Sequence, residues 1–356
     1  MKLKDRLKAE IRAGGPIPVS RFMTACLHDP QDGYYATRPR LGEDGDFITA
    51  PLVSQMFGEL LGAWAVETWR GLGRPERVLL VEAGPGDGTL IGDVLRAGRL
   101  DPDFLAAAEL WLIETSAPLI AAQRARLAGA ALTPTWAAGL GDLPDDAPIL
   151  LIANEFLDCL PVRQFVRTAD GVAERGVGLD LDGNLSFGLT PLPGERLPEG
   201  APLGAIIEAS PAQLDFAGDL AARIAHQGGA ALLIDYGRDQ AGVGDTLQAL
   251  HRHRKVDPLA DPGGADLTVH ADFPGVLRAA RARGAATAIL DQGVFLHRLG
   301  IAARAEALSR ARPDRAETIA RQLGRLVDAD QMGSLFKAAC LFAPGDPPPP
   351  GFEDPQ

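Results

Sequence analysis

The stretch "VEAGPGDGTL", residues 81–90, sets glycines at 84, 86 and 88 between an aliphatic run, "RVLLVEAG" (77–84), and a helical pattern from about Thr89 to Ala97. Glycine loses the most backbone entropy on folding, so this alternation signals a tight turn or main chain pressed close to a ligand. A strand, a glycine turn and a helix in that order form a general cradle for nucleotide-like ligands. Three details narrow it. Glu82 precedes the glycines, where a carboxylate can face a cationic or amine-bearing ligand. Pro85 stiffens the turn. Leu90 and Ile91 come next, so the pyrophosphate fingerprint GxGxxG is not completed.

Outward from the turn, "ELWLIETS" (109–116), "APILLIANEF" (147–156) and "AALLIDYG" (230–237) read as further buried strands. Helices are predicted between them, at "PLIAAQRARLAG" (118–129) and "PAQLDFAGDLAARIAHQGG" (211–229). Continuous aliphatic strands alternating with helices predict an α/β fold, a mostly parallel sheet covered on both faces. Glu114 ends the second strand, where an acid is placed to take both hydroxyls of a ribose. An acid before GxGxG, an acid on the next strand and no pyrophosphate motif fit S-adenosylmethionine better than NAD. Ordinary tight turns and strand-end acids are the alternative.

The 356 residues carry 47 acidic and 35 basic side chains, a net charge of −12, with no basic tract. That balance disfavours broad nucleic-acid binding. Cys26, Cys159 and Cys340 are far apart and form no CxxC, so a reducing compartment is expected, with no disulfide framework and no cysteine zinc site. No apolar run approaches the roughly 20 residues of a membrane span. The first residues lack a signal-peptide core, and a cytoplasmic location is expected.

The first 72 residues read as a helical and lid segment, starting with "MKLKDRLKAEIRAGG", where Leu3, Leu7 and Ile11 share a helical face. A short helix near 19–27 and one over 53–70, with Met56, Leu60, Ala63 and Trp64 on one stripe, complete it. Residues 73–343 read as the core. It contains an antiparallel insertion at about 162–207, a helical region at 295–326 and a last strand in "GSLFKAACLFAP" (333–344). The proline-rich tail, 344–356, is expected to be disordered.

"ANEFLDCLPV" (153–162) puts Asn154, Glu155 and Asp158 just past a buried strand's carboxyl end, where open α/β sheets bind ligands. Capping the next turn is the alternative for Asn154 or Asp158. If a helical turn starts there, Glu155 and Asp158 share a face. Tyr34 and Tyr35 are candidate walls of a substrate pocket, with core packing as their alternative. Asp46, Phe47 and Thr49 are candidate covers for the cofactor, and Ser54 or Gln55 a candidate helix cap. Asp235, Tyr236 and the basic loop containing His251 are candidates for the substrate entrance. Glu208 is placed either to meet substrate or to cap the helix near Pro211. A metal at His251, His253, His270 and Asp272 has poor spacing and is not expected.

The motifs "GYY", "GDFITAP", "MFGELLGAW", "VEAGPGDGTL", "ANEFLDCLPV", "LLIDYG", "GDTLQAL", "ADLTVHADF" and "MGSLFKA" follow one another in the order found in the MidA family. The chain resembles that family from about Phe22 to Lys337. The resemblance implies a class I, Rossmann-like methyltransferase fold with S-adenosyl-L-methionine as cofactor and an N-terminal lid. It also implies methylation of a protein arginine, the target in mitochondrial members being a complex I subunit beside the quinone site. Glu155 and Asp158 would then hold the guanidinium, with Asn154 beside the methionine or adenine moiety. Two departures show: Asp87 replaces the arginine of the family's frequent GPGRG and is expected to face outward, and "NEFLD" replaces "NEFFD". A non-catalytic, cofactor-binding assembly chaperone and a methyltransferase for another substrate are the competing expectations. Target protein, product state and oligomeric state have no signature in the sequence.

Overall fold

The computed structural model describes residues 1–37, 49–197, 200–240 and 242–353. Asp46 and Phe47, with most of "GDFITAP", lie outside them. The chain divides into two compact units, one comprising Ile48–Phe156, Asp215–Asp239 and Phe273–Gln356, the other Met1–Phe47, Leu157–Leu214 and Gln240–Asp272. This division departs from the linear boundaries expected above: helix Gln55–Gly71 belongs with the sheet, and the insertion clusters with the N-terminal helices.

The first unit is built on strands β1 (Val78–Ala83), β2 (Ala108–Ile113), β3 (Thr135–Ala137), β4 (Ile149–Asn154), β5 (Gly229–Arg238), β6 (Ala286–Asp291) and β7 (Phe336–Phe342). Their spatial order is β3-β2-β1-β4-β5-β7-β6. The pairs from β3 to β5 are parallel, and β7 runs antiparallel to both β5 and β6. Every residue of β1 and β4 is buried, which is why both strands are aliphatic runs without alternation. Leu79, Leu80 and Val81 are each 0% exposed, and each such burial stabilises the fold by roughly 1.5–3 kcal/mol.

Helix Gln55–Gly71 packs closely on helix Thr89–Gly98. A Cβ on Gly58 would lie 2.5 Å from Asp93 Cβ, and one on Gly62 would lie 2.6 Å from Ala97 Cβ. Met56, Leu60 and Trp64 of the expected stripe are buried, whereas Ala63 faces solvent. Ser54 caps this helix, accepting from the Met56 N–H at 3.3 Å. Helices Gln292–Arg298, Ile301–Ala311 and Ala316–Val327 precede the last strand. The tail differs from expectation through residue 353. Phe352 is 7% exposed and its ring lies 5.0 Å from that of Phe295. Arg298 Nη1 donates to the carbonyls of Gly351 and Glu353 at 3.1 Å each. One aromatic anchor outweighs the proline-rich composition around it.

In the second unit, helix Leu3–Gly14 buries Leu3, Leu7 and Ile11, and helix Val19–His28 follows. The insertion forms antiparallel strands Arg163–Thr168, Gly171–Leu179, Leu185–Pro191 and Ile206–Ala209, with Ile17–Pro18 added beside the second. A smaller sheet joins Gln248–His251, Arg254–Val256 and Asp266–Thr268. The region expected as a basic loop therefore starts in a hairpin. Arg252 and His253 turn it with φ of 50° and 60°, the left-handed pair of a type I′ turn. Among the described residues, no helix is long and apolar enough to cross a membrane.

Candidate functional site

The glycine turn adopts the conformation its spacing implied. Gly84, Gly86 and Gly88 have φ of 68°, 54° and 84°, a region that costs a side-chain-bearing residue. The Gly84 N–H donates to the Ile113 carbonyl at 3.1 Å, which ties the turn to the end of β2. Gly88 then caps helix Thr89–Gly98, whose first N–H groups open at the turn. Asp87 is only partly exposed, contrary to the outward position expected. Its Oδ1 accepts from the Thr89 N–H at 3.0 Å and Thr89 Oγ1 at 2.7 Å, while Oδ2 meets Arg126 Nη2 at 2.5 Å. The aspartate serves the positive end of the helix, a task an arginine cannot perform.

Glu82, at the end of β1, is 3% exposed, and its Oε2 has no partner among the described residues. Burial, with a contribution from the Asp87 charge, pushes its carboxyl up to about 8. Asn154, at the end of the adjacent β4, is 8% exposed, and its Oδ1 likewise has no partner there. Two orphaned buried acceptors at the carboxyl ends of neighbouring strands are costly. They sit where chain direction diverges from β1, to β2 on one side and β4 on the other, the place where open α/β sheets receive ligands. A ligand carrying ammonium and sulfonium groups fits that donor-poor pair.

Glu114 lies just past β2, half-buried, with its carboxyl raised by burial. Its Oε1 accepts from the N–H groups of Thr115 at 2.8 Å and Ser116 at 2.7 Å. Its Oε2 accepts from Gln123 Nε2 at 3.3 Å. Sequence reasoning missed Gln123, a residue of helix Ala117–Arg126 that also donates to the Gly86 carbonyl at 2.7 Å. A glutamine in mid-helix gives no sequence signal; only the fold brings it under the turn.

Glu155 has φ of 51°, an uncommon backbone for a side-chain-bearing residue and a form of strain that clusters at functional sites. Its Oε1 accepts from the Ala50 N–H at 3.3 Å and from Asn154 Nδ2 at 3.2 Å. Thr49 begins helix Ala50–Val53 through its carbonyl, without a capping bond from its side chain. The helical turn expected over 155–158 is absent. Glu155 sits in a bend and Asp158 in a turn closed by the Leu160 N–H on the Leu157 carbonyl, and the two residues fall in different units.

Asp158 is 3% exposed in the second unit, in the surroundings of Tyr35, Cys159 and Asp266. Tyr35 Oη lies 2.8 Å from Cys159 Sγ and 3.3 Å from Asp266 Oδ1. Burial, then the negative charge of Asp266, drives the Tyr35 phenol well above its ordinary value. Tyr34 is a core residue, 1% exposed and edge-on to Tyr35, so it takes the packing alternative. Glu208 does not cap the helix near Pro211: it accepts from Gln164 Nε2 and from Thr246, and Ser210 caps the helix instead. His251 is half-buried at the end of its strand, beside the hairpin turn. Asp235 and Tyr236, expected at an entrance, are 0% and 7% exposed. Tyr236 packs edge-on against Phe336, its cross-strand partner, because β7 still pairs with β5 at this point.

A family model for S-adenosyl-L-methionine-dependent methyltransferases matches residues 60–290. The mitochondrial protein arginine methyltransferase NDUFAF7 homolog of Drosophila melanogaster is 36% identical over 382 residues, covering 96% of this chain and 84% of the fly protein. The Homo sapiens protein arginine methyltransferase NDUFAF7 is 34% identical over 364 residues, 94% of this chain and 82% of its own. A crystal structure from Burkholderia thailandensis bound to S-adenosyl-homocysteine is 28% identical, with a TM-score of 0.83 over 99% of this chain and 94% of that one.

Proposed function

This chain belongs to the MidA family of S-adenosyl-L-methionine-dependent methyltransferases, and from that premise we propose that it methylates an arginine side chain of a protein substrate. S-adenosyl-L-methionine is its cofactor, and when bound it supplies an electrophilic methyl group. The observation that carries the arginine reading is the similarity to protein arginine methyltransferases along 94% and 96% of the chain. In this reading the turn at Gly84, Gly86 and Gly88 supports the cofactor, Glu82 and Asn154 meet its charged groups, and Glu114 takes the ribose.

A guanidinium stays protonated to a pH above about 12 and carries only donors. A carboxylate paired with its N–H groups fixes the planar fork and leaves a terminal nitrogen to be aimed at the methyl group. Glu155 takes that role here. Its strained backbone just past the end of β4 holds a carboxylate beside Asn154, at the carboxyl ends of the strands. A subunit of NADH:quinone oxidoreductase is the substrate to try first, on the family resemblance. The cytoplasm is the proposed location, in accord with three cysteines that are all free thiols.

Glu155→Gln tests the reading. The hydrogen bonds from the Ala50 N–H and Asn154 Nδ2 to Oε1 need only an acceptor, so a glutamine oxygen preserves them. The charge on the reacting guanidinium's partner is lost, and methylation falls about tenfold or more. The check is the methylarginine content of proteins from cells carrying wild-type, deleted or E155Q gene. Equal methylarginine in wild-type and E155Q cells would remove Glu155 from the reaction. No difference between wild-type and deleted cells would remove arginine.

A further inference from the structure

Gln123 is 0% exposed, and a buried amide is costly unless each polar group finds a partner. All of its partners belong to the ligand end of the sheet. Its Oε1 accepts from Trp136 Nε1 at 2.7 Å, on β3. Its Nε2 donates to the Gly86 carbonyl at 2.7 Å and to Glu114 Oε2 at 3.3 Å. The amide has one possible orientation, because an indole nitrogen only donates and a carbonyl only accepts. The helix backbone lies alongside the turn: a Cβ on Gly88 would be in van der Waals contact with Gln123 Cα, at 3.6 Å.

We propose that Gln123 is a positioning residue of the cofactor site, locking the glycine turn and the Glu114 carboxylate into one arrangement before ligand arrives. The inference rests on the reading that this turn and Glu114 hold the cofactor. Glu114 Oε1 is already fixed by two backbone N–H groups, so the amide on Oε2 completes the clamp and sets the carboxylate plane. The same amide fixes the Gly86 carbonyl of the turn. Trp136 transmits the constraint to β3, and the Arg124 guanidinium 4.8 Å from the ring centroid stacks on the indole. Pre-set donors and acceptors bind ligand without an ordering cost at the moment of binding.

The test is calorimetric titration of S-adenosylhomocysteine and its 2′-deoxyribose analogue into the whole chain and four variants. Gln123→Leu keeps the volume and removes the amide. Its affinity for S-adenosylhomocysteine falls about tenfold or more, and its preference for ribose over deoxyribose collapses toward that of Glu114→Gln. The double variant loses little beyond Glu114→Gln alone, since both changes remove one arrangement. A merely structural glutamine would leave the ribose preference intact. Trp136→Phe frees the amide without removing it, and several-fold weaker binding with reduced ribose preference is expected. That variant decides the matter if Gln123→Leu does not fold. Unchanged affinity and ribose preference in Gln123→Leu, or in Trp136→Phe, overturn the proposal while Glu114→Gln still weakens binding. Unchanged affinity in Glu114→Gln overturns the cofactor reading itself.

Discussion

Glu82 is the residue at which the electrostatics of the site are most exposed to measurement. Its folded carboxyl is raised from the ordinary 4.5 to about 8, first by burial and then by Asp87. A raised acid favours folding while protonated, so the contribution is complete below pH ~4.5 and is lost as pH rises through about 8. Glu82→Gln removes that dependence, and the variant's thermal midpoint changes less between those limits than the wild type's. A cationic ligand beside Oε2 reverses the penalty and restores the carboxylate. S-adenosylhomocysteine, whose ammonium group is the cation, therefore releases a proton on binding near neutral pH. Titrations in buffers of different ionisation enthalpy read that proton directly, and Glu82→Gln abolishes it. A heat independent of buffer in the wild type would place the ammonium elsewhere.

At the scale of elements, helix Thr89–Gly98 begins on an aspartate side chain beside a left-handed glycine. Asp87→Ala removes that cap and costs about 1 kcal/mol, a few degrees of melting temperature. Arg126→Ala breaks the partly exposed ion pair and the Nε hydrogen bond to the Asp87 carbonyl, and costs less. Equal losses in the two variants would mean that the ion pair, not the cap, carries Asp87's contribution. The strand-ending acids and glycines were legible because turn chemistry is local: Gly84, Gly86 and Gly88 occupy left-handed backbone that the spacing already implied. Gln123 was not legible, since its value comes from partners just past β2, on β3 and in the turn that only packing assembles. Asp235 and Tyr236 are more deeply buried than a strand's end suggests for a related reason: β7 pairs alongside both, and that pairing comes from far along the chain.

Across the whole molecule, the order β3-β2-β1-β4-β5-β7-β6 brings the carboxyl ends of β1, β2 and β4 side by side. The alternation of aliphatic runs with helices disclosed this sheet, whereas the short β3 and the edge β6 lack long apolar runs and stayed hidden. The second unit was the least legible, because its N-terminal helices, its insertion and its small hairpin sheet share a core that only long-range packing assembles. The sheet unit carries the glycine turn, both orphaned acceptors and Glu155, so the methyl donor and the guanidinium partner are proposed to meet at its edge. Trideuteromethyl-labelled S-adenosylmethionine, incubated with the purified chain and a protein extract lacking it, followed by mass spectrometry of peptides, tests that proposal. The expected result is a trideuteromethyl group on an arginine guanidinium nitrogen with wild-type protein, reduced about tenfold or more with Glu155→Gln. Label confined to another residue type, or no label from a protein that binds S-adenosylhomocysteine, would contradict it.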